Sequence, residues 1–299
     1  LVENSRSMKY KVTHTTIYDY SDAVPVCHNE ITLWPRDHRR QTCLTHRLRV
    51  RPEPVHLDHR TDYFGNHTGQ FAIEQPHTRL TVTAVSQVQV LPPDIPAPSS
   101  TPPWEDIRDR FTIGQPPWWL EARQFVLDSH YVQATAALRQ LAEPSFTPGR
   151  PWLEAVLDLT TRIHAEFKYD PTATTINTSL ETVLRIRRGV CQDFAHLQIG
   201  CLRSIGLPAR YVSGYLLTAP APGQPRMIGA DASHAWVAAF SPESGWIDFD
   251  PTNNVIPGTG HVTLAWGRDY SDICPIKGVL VGGGKHRMRV AVDVVPLSE

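Results

Sequence analysis

Three features predict an α+β fold in two parts. Alternating β-branched runs crowd the first 92 residues, a proline-rich stretch follows, and helical periodicity then gives way to strands again. Tyr10–Tyr20, Arg47–Arg51 and Leu80–Val90 alternate apolar and polar side chains, so residues 8–92 are expected to form an N-terminal antiparallel β-sandwich domain. Within it His56-Leu-Asp-His59 reads as a polar surface loop. Residues 93–103 carry too many prolines for either regular structure and are expected to be a linker. Residues 104–206 are mainly helical in pattern, most clearly at Trp118–Ser129 and Trp152–Phe167. Strands return from Ala209 to Arg287–Val295, with Gly282-Gly-Gly284 read as a hairpin turn. Residues 104–299 are thus expected to be a second domain of helices packed on an antiparallel sheet.

Length and composition narrow the function classes. At 299 residues the chain is long enough for two domains and a sizeable core. A net charge of −1 gives no electrostatic reason to expect nucleic acid or an anionic membrane. No apolar run approaches the roughly 20 residues of a spanning helix. Met8 reads as a native start that leads straight into a strand, so no leader is expected before it. The cysteines, at 27, 43, 191, 201 and 274, are odd in number and without close pairs. That pattern points to a reducing, cytoplasmic setting and not to a disulfide framework. No metal or cofactor is expected. Cys191, His196 and Cys201 are spaced by five, which splays them around a helix at about 100° per residue, and no acidic calcium loop is present. The triple glycine lacks the strand-loop-helix context of a phosphate cradle.

The chemistry concentrates in three stretches. In Gly189-Val-Cys-Gln-Asp-Phe-Ala-His-Leu197, Arg187 to Val190 interrupt one helical pattern and Cys191 opens another. Phe194, Leu197, Gln198, Cys201, Leu202 and Ile205 recur at three- and four-residue spacing until Gly206 and Pro208 stop the helix. Cys191 therefore stands in a first turn, where unpaired N–H groups and the helix dipole favour a thiolate. Free cysteines are more often buried small hydrophobes, and Cys201 fits that description. The other two stretches, Ser233-His-Ala-Trp-Val237 and Gly245–Asn253, read as the two arms of a hairpin. Alternation places His234, Trp236, Ala238 and Phe240 on one face, with Trp246, Asp248 and Asp250 sharing a face on the partner. If Phe240 lies opposite Gly245 or Trp246, His234 falls opposite residue 251 or 252 and Asp250 is its neighbour. Asp248 would be about 7 Å further along the strand.

These blocks resemble the transglutaminase-like superfamily. That family carries a Gly-Val-Cys helix start, a His-Ala-Trp strand and a Trp-x-x-x-Asp-Pro-Thr strand in this order, here Gly189–Cys191, His234–Trp236 and Trp246–Thr252. Arg203–Arg210 is similar to its Arg-x-x-Gly-Leu-Pro-Ala-Arg segment. Met8–Tyr20, Leu33–Arg36 and Asp62–Asn66 look like the N-terminal β domain of the bacterial members, and Gly267–Gly278 like their C-terminal region. The resemblance implies a papain-like transglutaminase core with Cys191 as nucleophile, His234 as general base and acid, and Asp250 as its orienter. The Cys191 backbone N–H would stabilise an oxyanion, with Tyr169 as a candidate second donor. A protein or peptide amide is the implied substrate, attacked through a thioester. Hydrolysis, amine transfer and a non-catalytic binding module that kept the fold all remain open, and so does the oligomeric state. The sandwich would be either a recruitment or dimerisation surface or a lid on the helical core. Arg268-Asp-Tyr270 would either border the cleft or form a buried ion pair.

Overall fold

A computed structural model describes residues 7–112, 119–218 and 232–297. The chain opens with six strands: β1 (Met8–Val24), β2 (Val26–Ile31), β3 (Gln41–Arg51), β4 (His56–Thr61), β5 (His67–Ile73) and β6 (His77–Val90). Their alternation is legible in β6, whose Leu80, Val82, Ala84, Ser86, Val88 and Val90 are buried while the residues between them are less so. The prolines of 91–103 permit only one short turn, Pro98–Ser100. Six helices and two minimal strands follow: α1 (Trp104–Thr112), α2 (Trp119–Arg123), α3 (Ala136–Ala142), α4 (Trp152–Glu166), β7 (Lys168–Tyr169), α5 (Leu180–Ile186), β8 (Arg188–Gly189) and α6 (Cys191–Ser204). Thr135 caps α3 and Ser179 caps α5, each accepting a backbone N–H three residues on. On α4, Trp152, Leu153, Val156, Leu159 and Ile163 form one buried stripe. The chain then runs through β9 (Ala209–Leu216), β10 (Ala232–Ser241), β11 (Gly245–Phe249), β12 (His261–Gly267), β13 (Ile276–Val281) and β14 (His286–Pro296).

The central antiparallel sheet has the order β11-β10-β9-β12. Phe194, Leu197, Cys201 and Leu202 of α6 pack with Ala235, Val237, Ala239 and Tyr211 from that sheet. Side chains of this size stabilise the fold by about 1.5–3 kcal/mol each when fully buried. Gly214 on β9 faces His234 in register, and a methyl group there would overlap the Val262 carbonyl and the Trp236 ring. Glycine is needed at that position so that the tryptophan can lie across the strand. Among the described residues no helix is long and apolar enough to cross a membrane.

Four expectations change. The last two strands do not stay with residues 104–299. β14 pairs with β1 in a β14-β1-β6-β3 sheet, β13 pairs with β2 in a β13-β2-β5-β4 sheet, and Val292 and Val294 join the sandwich core. Gly282–Gly284 is therefore no hairpin turn. It carries the chain from one sheet to the other, with three consecutive positive φ values of 75°, 79° and 59° that only glycine adopts freely. His56–His59 is an edge strand and not a loop, although exposed as expected. The helix expected over Trp118–Ser129 ends by Val126, where Leu127 turns extended; Trp118 lies outside the described residues.

Candidate active site

The first wall of the site is the start of α6. Val190 donates its N–H to Asp193 Oδ2 at 2.8 Å, and the Thr174 hydroxyl donates to the same oxygen at 2.7 Å. Gly189 is required by this clasp, since a β-carbon there would lie 2.6 Å from that carboxylate oxygen. Burial pushes the Asp193 carboxyl up despite both donors. Upstream, Arg187 takes a left-handed φ of 54° and turns the chain out of α5. The result presents Cys191, half-buried, as the first residue of a fourteen-residue helix. Unpaired N–H groups gather at that end.

The second wall is β10 with the loop after β11. Phe240 pairs with Trp246, the register that carries the strand past residue 249 toward His234. His234 is 8% exposed, and its Nε2 lies 2.7 Å from Asp250 Oδ2. Cys191 and His234 line the same cavity, and the sulfur is close enough to help raise the imidazole's pKa. Asp250 is fully buried and its own turn holds it. Thr252 and Asn253 donate backbone N–H groups to Oδ1 at 2.9 and 3.1 Å, and the Asn253 side-chain amide donates to Oδ2 at 2.7 Å. Backbone bonds between Asp250 and Val255 close the loop. A second imidazole, His261 on β12, reaches the same Oδ2 at 3.1 Å.

Electrostatics follow from this crowding. Burial opposes charge on Asp250, but the bonds from His234, His261 and Asn253 hold it well below the usual carboxylate range. Burial likewise opposes charge on His234, and Asp250 and Cys191 outweigh it, raising the imidazole to about 10. Asp248 lies elsewhere. It is paired with Arg40 at 3.7 Å, and burial raises its carboxyl. The structure thus bonds His234 to Asp250 and not to Asp248, and places Cys191 and His234 on one cavity.

A cavity of about 480 Å³ opens over Cys191 and His234. Tyr211, Ser213 and Tyr270 line its floor, and β1 and β14 of the sandwich line the far side. Tyr169 is half exposed on β7, which pairs with the strand just before Cys191. Burial and the nearby sulfur both raise its hydroxyl. Of Arg268-Asp-Tyr270, only the tyrosine borders the cleft. Asp269 is buried and accepts N–H groups from Tyr131 and Ser271, while Arg268 pairs with Asp272 at 2.9 Å. His196 is buried on α6, accepts the Tyr270 N–H at 3.2 Å and stacks on Tyr131, an arrangement that holds the loop.

Sequence reasoning missed His261. Its ligand atom, with those of His234 and Asp250, falls in a group lying within 4.8 Å of one another. Such a set suits zinc by donor type. A cation would have to replace the hydrogen bonds through which Asp250 holds both rings. No local pattern marks His261, which the 251–260 loop returns to the site.

Two family models match in order: the bacterial transglutaminase-like N-terminal region over residues 10–89 and the transglutaminase-like superfamily over 139–251. An uncharacterized protein of Mycobacterium tuberculosis is 41% identical over 98% of this chain and 95% of its own length. A protein-glutamine gamma-glutamyltransferase of Pseudomonas aeruginosa is 35% identical over 97 residues, 31% of this chain and 14% of that protein. The crystal structure of a candidate cysteine protease from Cytophaga hutchinsonii superposes with a TM-score of 0.77 at 23% identity, covering 99% of this chain and 93% of that one. By these matches and its sheet-and-helix core, the chain belongs to the bacterial transglutaminase-like superfamily.

Proposed function

We propose that this protein is a cysteine-dependent hydrolase of amide bonds in proteins or peptides, acting through a thioester on Cys191. Family membership supports cysteine-dependent acyl transfer or hydrolysis in general. The observation that supports the finer reading is a cavity lined by both Cys191 and His234, with the imidazole bonded at 2.7 Å to the buried Asp250 carboxylate. The Cys191 thiolate attacks the carbonyl carbon of a glutamine side chain or a peptide bond. As the C–N bond breaks, His234 gives its proton to the leaving nitrogen. Water then adds to the thioester, His234 takes the water's proton, and the thiolate departs. The α6 N–H groups and the Tyr169 hydroxyl are placed in this scheme as donors to the oxyanion, a role worth about 3–4 kcal/mol per donor in acyl transfer. Asp250 keeps His234 in the orientation and charge state the cycle needs. All five cysteines are free, which suits a reducing compartment, and we assign the protein to the cytoplasm on that ground.

Amine transfer is the second reading, favoured by the local match to the Pseudomonas aeruginosa glutamyltransferase. Mass spectrometry of glutamine peptides, incubated with and without a primary amine, separates the two. Hydrolysis gives deamidated or cleaved products whether or not amine is present. Transfer gives an amine adduct, and its dominance would replace the hydrolase reading.

A further inference from the structure

The cleft has two sides, and only one belongs to the family's catalytic elements. Across from Cys191 and His234 stands a patch of the N-terminal sandwich built of three cross-strand pairs: His14 with Val292, Thr16 with Val290, and Tyr18 with Met288. Partners directly opposite in an antiparallel pair share a face, so these six side chains form one wall. Met288 and Val290 are 55% and 46% exposed, apolar surface left uncovered beside a candidate reaction centre. Among the described residues no Asp, Glu, Lys or Arg lines the cavity. His14 adds no charge, because burial lowers it to about 4.

We propose, on the basis of the thiol mechanism above, that this sandwich wall selects substrates by binding an uncharged, apolar or aromatic residue flanking the reactive carbonyl. Tyr18, Met288 and Val290 are the specificity-determining residues. The occupant follows from the lining. Against the sandwich wall, on the side away from the His234 imidazolium, a charged side chain would lose its hydration with no opposite charge from that wall to meet it, whereas an apolar one gains contact. A cavity of about 480 Å³ holds a short peptide segment and not a folded surface. The N-terminal domain is thereby part of the substrate site and not only a cover for the core.

The test uses the whole protein and peptidyl chloromethyl ketones that differ only in the flanking residue (Leu, Phe, Glu or Lys), with labelling of Cys191 followed by peptide mass spectrometry. Iodoacetamide is the size-neutral reference. Relative to it, the Leu and Phe reagents are expected to label Cys191 at least about tenfold faster than the Glu and Lys reagents, the range typical of pocket discrimination. Met288→Glu and Val290→Glu should abolish that preference and favour Lys. Ala291→Glu, exposed on the same strand but of opposite parity, should leave it unchanged. Equal relative rates for all four reagents, or the same response from Ala291→Glu as from Met288→Glu, would overturn the proposal. The mechanism fails separately, if iodoacetamide labels Cys191 no faster than the other cysteines.

Discussion

Replacing Asp250 with Asn is the sharpest perturbation of the site. The substitution keeps the volume and leaves Oδ1 to accept the Thr252 and Asn253 N–H groups, but it removes the charge facing His234. The imidazole's rise from 6.5 to about 10 amounts to about 5 kcal/mol of preference for its charged form. Asp250 and Cys191 together provide this against burial. Losing the larger share, about 3–4 kcal/mol, corresponds to a fall of roughly 10²–10³ in kcat/KM. The pH dependence has a definite sign. A group raised in the folded state stabilises fully below its unfolded value and loses that contribution as pH climbs through the folded one. The stability gap between wild type and Asp250→Asn is therefore expected to be largest below about 6.5 and to narrow toward about 10. The alkaline limb of kcat/KM should move down in the variant. Steady-state kinetics on a glutamine peptide and urea unfolding across that range provide the readout. A variant that keeps more than about a tenth of the activity, with an unshifted alkaline limb, would refute this role for Asp250.

Other outcomes follow from the same geometry. Tyr169→Phe should lower kcat by about 10–10²-fold with little change in KM if its hydroxyl meets the oxyanion, as steady-state kinetics would show. His261→Ala removes one donor from a buried carboxylate and should cost about 1–3 kcal/mol in urea unfolding, with a smaller loss of activity than Asp250→Asn. Gly214→Ala forces a methyl into the Val262 carbonyl and the Trp236 ring, so its thermal midpoint should fall by an amount matching about 2–4 kcal/mol. Cys201 is buried and burial pushes its thiol far up, while Cys43 is raised to about 11. Alkylation near pH 7 should reach neither until the protein is unfolded.

Much of the site was legible because its signals are local. The periodicity beginning at Cys191 marks α6 without reference to any other part of the chain. The short turn between Phe240 and Trp246 fixes the register that sets Asp250, and not Asp248, beside His234. What escaped reading depends on distant partners. Gly282–Gly284 carries the composition of a hairpin turn, yet nothing local says that the strands on either side join different sheets. Apolar alternation in 286–296 shows a strand but not that its neighbour is β1, nearly the whole chain away. The polar residues of β4 lack a strand signature because this edge strand is exposed nearly throughout and held by its backbone pairing to β5. His261 reaches Asp250 only through loop closure.

The central claim is a covalent bond on one sulfur, and rapid acid quench with intact-protein mass spectrometry tests it directly. Wild-type protein mixed with a glutamine peptide should carry the peptide less ammonia as a thioester on Cys191, discharged by hydroxylamine and missing from Cys191→Ala. Turnover with no such adduct, or undiminished turnover in Cys191→Ala, would contradict it.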